Sequence, residues 1–236
     1  KEYLPTFNSH TIELNLHRIP GLSEQFVYFN DDCFLTRMCS PEDFFKHGRP
    51  VDEASLNGIN GKDNEFARIQ FQNMALMNCY YSVNDCKKNL SKWLRPSYGR
   101  NLFRTLLLLP FQRLQGIYNP HGPMAVLKQT CRKLWERDGD VLDATCRCRF
   151  RKGDNVSAYI YRYEQLLSNR FIPHKSQNKY CSVAEPAGMI ARNVKKYKMV
   201  CINDAELEEK QFLRKRKEIQ RIMENAFPSK SAFEKE

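Results

Sequence analysis

The chain has 236 residues, and 38 Lys and Arg against 27 Asp and Glu give it a formal net charge of +11. A content of 42% hydrophobic and 28% charged residues excludes a disordered or collagen-like chain, and the length suits one sizeable core or two small ones. The apolar run Leu106-Leu107-Leu108-Leu109 stops at Pro110, far short of the roughly 20 residues a membrane helix needs, and Lys1-Glu2-Tyr3-Leu4-Pro5 holds no signal-peptide core, so the chain is expected to be soluble.

In chain order, residues 25–29 read as a strand because Phe26-Val27-Tyr28-Phe29 are all strand formers, followed at once by Asn30-Asp31-Asp32. Ser40-Pro41-Glu42-Asp43 resembles a helix cap with Pro in the first turn. Gly48, Pro50, Gly58 and Gly61 mark residues 47–62 as loop. Residues 63–79 and 82–94 have helical composition, and 101–109 carry a weaker helical pattern. Pro120-His121-Gly122-Pro123 is a tight turn, after which 124–137 is predicted helical. A short basic strand or turn over 146–152 precedes a helix over 154–168 with Asp154 as its cap, and 199–202 is a second apolar strand running into Asn203-Asp204. No repeat interrupts this order. The mixture predicts an α/β fold with an open mixed sheet, a helical middle and a C-terminal helix.

That last helix, over 205–227, places Phe212, Ile219, Ile222 and Met223 near helical spacing and carries Arg214-Lys215-Arg216-Lys217 on a solvated face or a patch for polyanions. Without interleaved aromatic residues the basic run does not suit sequence-reading of nucleic acid. The nine cysteines include no C-x-x-C pair, so the zinc-ribbon pattern fails, and small buried thiols in a reducing cytosol explain them.

Three places suit chemistry. Two strands end in Asn-Asp sequences, and carboxylates at strand ends either turn the chain or hold a hard cation with substrate phosphates. His121, between prolines and a glycine ahead of an expected helix N-terminus, is either a turn residue or a base whose pKa the helix end lowers. Arg147, Arg149 and Arg151 alternate; in an extended segment all three share one face suited to phosphate oxygens, with Cys148 and Phe150 towards the core.

Leu4-Pro5-Thr6-Phe7-Asn8-Ser9-His10, His17-Arg18-Ile19-Pro20-Gly21-Leu22 and Phe29-Asn30-Asp31-Asp32 resemble the second conserved region of the Stealth family. These are sugar-phosphate transferases of bacterial capsule synthesis, similar to the catalytic subunit of animal lysosomal-enzyme N-acetylglucosamine-1-phosphotransferase. Asn119-Pro120-His121-Gly122-Pro123 resembles the third region; Cys201-Ile202-Asn203-Asp204, with Phe227-Pro228-Ser229-Lys230-Ser231-Ala232-Phe233-Glu234, resembles the fourth. On this pattern the chain is a single catalytic domain over 1–236, resembling a nucleotide-sugar transferase. Its parts are a second region over 1–45, a helical segment over 46–115, a third region over 116–170, and a fourth region with the C-terminal helix over 198–236. The family's first region is not found ahead of the second, so the resemblance implies N-terminal truncation.

The resemblance implies transfer of a sugar 1-phosphate from a nucleotide-diphospho-sugar to a hydroxyl of an acceptor glycan, releasing a nucleoside monophosphate. It makes His121 the general base, Asp32 a donor-positioning and metal residue, and Arg151 a phosphate clamp, with Arg149 the alternative. Asp31, Asp32 and Asp204 would hold Mg²⁺ or Mn²⁺; Asn8, His10, Arg18, Asn30, Arg149 and Asn203 would contact substrate. It implies a cytoplasmic enzyme, compatible with a lipid-linked acceptor and peripheral contact at the inner membrane face, and with no nucleic-acid partner. The competing expectations are a metal-dependent glycosyltransferase, which releases a nucleoside diphosphate, and a non-catalytic polyanion-binding protein.

Overall fold

The computed structural model describes residues 2–61 and 64–229. Its strands are β1 (Gln25–Tyr28), β2 (Cys33–Leu35), β3 (Phe45–Lys46), β4 (Arg49–Asp52), β5 (Met124–Leu127), β6 (Ile172–Pro173), β7 (Asn178–Ser182) and β8 (Met199–Asn203). Its helices are α1 (Ser9–Asn15), α2 (Glu65–Asn78), α3 (Val83–Lys87), α4 (Leu90–Trp93), α5 (Arg100–Leu108), α6 (Lys128–Arg147), α7 (Tyr159–Leu167), α8 (Ala187–Lys196) and α9 (Glu209–Ala226). The chain is α/β, and its strands form open sheets: β1 with β5, β2-β8-β7, and β3-β4-β6. The last two are mixed, since β8 pairs antiparallel with β2 and parallel with β7, while β4 pairs antiparallel with β3 and parallel with β6. Among the described residues no helix is long and apolar enough to cross a membrane.

The chain divides into two compact units. The larger holds, of the described residues, 2–28, 41–61, 64–119 and 124–175, packed around Leu14, Trp93, Leu134, Ile160, Tyr163 and Phe171. Its helix α2 starts where the Asn64 side chain accepts the Ala67 amide at 2.8 Å, a cap that satisfies one of the unpaired first-turn donors. In α7, Arg162 is buried, and its guanidinium donates to both Asp52 oxygens at 2.7 and 2.9 Å and to the Tyr118 carbonyl at 2.7 Å. A bidentate pair with further acceptors offsets the desolvation of both charges. The smaller unit holds, of the described residues, 29–40, 120–123 and 176–229; Val200 and Ile202 of β8 pack with Ile190 and Val194 of α8. Ile219, Ile222 and Met223 turn the apolar face of α9 onto that cluster, as their spacing predicts, whereas Phe212 remains substantially exposed.

Several expected elements differ. The Ser40-Pro41-Glu42-Asp43 cap opens only a 3-10 turn over Pro41–Asp43, and β4 lies within the expected 47–62 loop. The single helix over 82–94 is two, because Asn89 leaves helical geometry and its side chain accepts from Asn169 at 2.8 Å. Residues 124–127 are strand β5, because pairing of Met124 with Tyr28 and Val126 with Phe26 overrides the helical propensity of Met, Ala and Leu; α6 starts only at Lys128. The basic segment is no strand. Arg147 closes α6 and pairs with Asp143 at 2.6 Å, and Phe150 is 61% exposed, stacked on Phe7 instead of facing a core. The next helix starts at Tyr159 and not at Asp154, because the Val156 amide is taken by the Thr145 hydroxyl and the Ser157 amide by the Asn73 side chain. Strand β7 carries no expectation in the sequence. All nine cysteines are free thiols, with Cys86, Cys131, Cys146, Cys181 and Cys201 buried. The Lys230-Ser231-Ala232-Phe233-Glu234 part of the resemblance lies outside the described residues, as do Lys62 and Asp63 at the expected junction of loop and helix.

Candidate active site

The two Asn-Asp sequences meet in the smaller unit. Antiparallel register sets Cys33 of β2 opposite Cys201 of β8, and one step further the Asp32 carbonyl accepts the Ile202 amide at 2.8 Å. Asp32 therefore sits at the carboxyl end of β8, beside the strand's last residue, Asn203. Its carboxylate accepts from the Cys201 thiol at 3.1 Å and from the Cys33 thiol at 3.5 Å. Burial and the neighbouring Cys33 and Asp32 hold the Cys201 thiol protonated, its pKa pushed well up, first by contact with Cys33.

His121 belongs to the same unit. Its backbone is left-handed, with φ 43°, a sparsely populated region for a non-glycine residue that fixes the side-chain direction. Its ring lies 5.1 Å from the Tyr180 ring, tilted by 52°, and parallel register sets Tyr180 beside Cys201. Asn203 donates its side-chain amide to the Tyr180 hydroxyl at 3.2 Å. Burial lowers the His121 pKa, and the negative Asp32 draws it partly back up. The lowered pKa has a different cause from the one the sequence suggests: the turn leads into strand β5, and no helix begins there. At neutral pH the imidazole is neutral and able to take a proton.

Around this core the other candidates are less converged. The Asn30 carbonyl accepts the Cys33 amide at 3.1 Å, closing the turn, and Asn30 and Asp31 are exposed. Asp204 turns its carboxylate onto the Ala205 amide at 2.8 Å. Among the described residues, the cluster of three metal-competent donors is Asp32, Cys33 and Cys201; it does not include Asp31 or Asp204.

The remaining candidates belong to the larger unit. Asn8 is fully buried and structural in its contacts. Its oxygen caps α1 through the His10 amide, and its side-chain nitrogen donates to Asn155 at 2.9 Å and to the Cys148 carbonyl at 3.3 Å. His10 pairs through Nδ1 with Glu13 at 3.3 Å, and its buried Nε2 has no hydrogen-bond partner. Arg18 stacks 4.1 Å over Trp135 and lines a mostly apolar cavity of about 440 Å³ with Leu4, Ile12 and Ile19. Arg149 lies 5.4 Å over Phe7, and Arg151 donates to the Ser9 hydroxyl at 2.7 Å with Glu65 at 3.7 Å. The second-region motif and the arginine segment are thus joined at Ser9, though far apart in the chain. Tyr180 has no sequence expectation behind it: Asn178-Lys179-Tyr180 comes after Ser176 and Gln177 without an alternating apolar pattern.

Known proteins resemble this chain along its length. Residues 1–52 match the model of the Stealth protein CR2, conserved region 2. A capsular polysaccharide phosphotransferase WcwK of Streptococcus pneumoniae is 34% identical, the alignment covering 100% of this chain and 71% of that protein. The exopolysaccharide phosphotransferase cps2G of Lactiplantibacillus plantarum is also 34% identical over 100% of this chain and 71% of its own length. The receptor polysaccharide phosphotransferase WefC of Streptococcus oralis is 32% identical, with 99% and 71% covered.

Proposed function

The chain belongs to the Stealth family of polysaccharide phosphotransferases, and from that premise we propose that it transfers a sugar 1-phosphate from a nucleotide-diphospho-sugar to a hydroxyl of an acceptor glycan. The observation that carries this reading is a half-buried His121, its pKa lowered by burial and raised in part by Asp32, in the same unit as Asp32 at the carboxyl end of β8.

His121 takes the proton of the acceptor hydroxyl as its oxygen attacks the sugar-proximal phosphorus. The new oxygen–phosphorus bond replaces the bond to the bridging oxygen of the diphosphate, and a nucleoside monophosphate leaves. Such a transfer needs positioning and charge neutralisation more than covalent help. Asp32 and Asn203 orient the donor at the strand end, while Tyr180, bonded to Asn203 and packed on His121, holds base and donor residue in one geometry. Arg151 is assigned to the phosphate, with Arg149 as the alternative. Mg²⁺ or Mn²⁺ bound at Asp32 would neutralise the donor diphosphate. One carboxylate is a sufficient protein share for such an ion when substrate phosphates and water complete it. Peripheral contact with the inner membrane face is assigned to α9, whose Arg216 and Lys217 are exposed, with Arg214 and Lys215 paired to Glu218.

The test is to incubate the protein with Mg²⁺, an acceptor glycan pool and a panel of nucleotide-sugars, and to identify the released nucleotide by mass. A monophosphate that appears only with acceptor supports the reading. A diphosphate moves the protein to the glycosyltransferases.

A further inference from the structure

Asp32, Cys33 and Cys201 offer one carboxylate oxygen and two sulfurs, all within 4.8 Å of one another. We propose that this cluster is a binding site for a thiophilic divalent cation, Zn²⁺ or Cd²⁺, and that its occupation silences the enzyme by capturing Asp32. The inhibitory half rests on the function proposed above; the binding half does not.

The donor set decides the metal. Mg²⁺ takes oxygen ligands and gains nothing from sulfur, whereas thiolates select zinc and its softer relatives. Zinc bonds of about 2.0–2.3 Å imply tetrahedral edges of roughly 3.3–3.8 Å. One carboxylate oxygen already lies 3.1 Å from the Cys201 sulfur and the other 3.5 Å from the Cys33 sulfur, so rotation of the carboxylate brings a single oxygen to both. The backbone is prepared as well: the β2–β8 register fixes the two cysteines directly opposite each other, and the Ile202 amide holds Asp32 beside them. On binding, each thiol gives its proton to solvent and its sulfur pair to the metal. Three protein ligands leave a fourth position for water or a substrate oxygen. A cation held there shares Asp32 with the donor-binding role, and the two uses exclude each other.

The probe is Cd²⁺ titrated into reduced, Mg²⁺-free protein, read by the ultraviolet sulfur-to-cadmium charge-transfer absorption. One equivalent is expected to saturate the signal. Cys33→Ser and Cys201→Ser should each weaken it at least tenfold, and Cys79→Ser, at an exposed cysteine on a different element, should leave it unchanged. A wild-type measurement guards against misfolded variants: bound Cd²⁺ should protect Cys33 from alkylation, read by mass spectrometry. Absent wild-type absorption, absorption that survives both substitutions, or unprotected Cys33 would overturn the site. None of these needs turnover, so an inactive preparation counts against the proposed function and not against the site. In the transfer assay Zn²⁺ should inhibit, and Cys33→Ser should keep basal turnover while resisting Zn²⁺ at least tenfold. Equal sensitivity of variant and wild type would overturn the inhibitory half.

Discussion

Gly122 and Asn178 are in such close approach that a β-carbon on the glycine would stand 2.3 Å from the Asn178 side-chain nitrogen and 2.8 Å from its β-carbon. The glycine next to His121 therefore lets the turn lie directly on β7, the strand that carries Tyr180. Close approach of the glycine to the Asn178 side chain, and not the freedom of a left-handed turn, requires glycine at this position.

Gly122→Ala should therefore displace the turn and His121 with it. A displacement near 1 Å at a catalytic group costs up to about 10²-fold in rate, so a fall of at least tenfold in kcat is expected. The double substitution Gly122→Ala with Asn178→Gly should recover part of it, as read by steady-state kinetics.

Asp32→Asn and His121→Gln should each lower kcat by about 10²-fold or more, the scale of a general base or a charge-stabilising group, with circular dichroism unchanged. The pH dependence has a definite sign. Burial lowers the His121 pKa below 6.5, so the rate should fall as pH drops through a value under 6.5 and stay flat above it. Because Asp32 raises that pKa, Asp32→Asn should move the His121 titration, followed by NMR, to lower pH. An upward movement would separate the two residues.

Arg151→Ala should lower kcat/KM by about 10²-fold if its guanidinium holds donor phosphate, a charge-assisted contact worth several kcal/mol when desolvated. A near-normal Arg151→Ala together with a deficient Arg149→Ala would transfer the clamp to the arginine now stacked on Phe7.

His17 supplies an acid-sensitive element in the larger unit. Burial first, then the charge of Arg18, push its pKa down to about 4 from 6.5. The unfolded chain binds this proton below 6.5 and the folded chain does not until about 4, so stability is fully present above 6.5 and is lost as pH falls. By pH 5 the loss is about 2 kcal/mol. His17→Phe, which keeps a ring against Trp135, should remove that part of the pH dependence in urea unfolding measured between pH 7 and 5.

Residues at the ends of apolar strands were legible in the sequence, because strand formers followed by Asn-Asp expose both the strand and its end. That pattern makes Asp32 and Asn203 candidates, and the rigid Pro-Gly frame does the same for His121, while the roles given to all three come from the family resemblance. Segments whose structure comes from distant partners were not legible. Met124-Ala125-Val126-Leu127 is helical by propensity and becomes a strand only through β1. The Arg147, Arg149 and Arg151 alternation imitates a strand, but Arg147 is the last residue of α6, held to Asp143 a turn earlier. Tyr180 escapes notice because β7 is a short polar strand that exists by parallel pairing with β8. Asn8, whose motif suggests a substrate contact, spends its side chain on capping α1 and tying it to Asn155.

Sugar-phosphate transfer is tested by following the phosphorus. The enzyme is given Mg²⁺, acceptor glycan and a nucleotide-sugar whose sugar-proximal phosphate carries an isotopic label. Transfer of sugar 1-phosphate places the label in the glycan as a phosphodiester and leaves an unlabelled nucleoside monophosphate. Label retained in a nucleoside diphosphate, with unlabelled sugar on the glycan, would contradict the assignment of Asp32 and His121 to phosphoryl transfer.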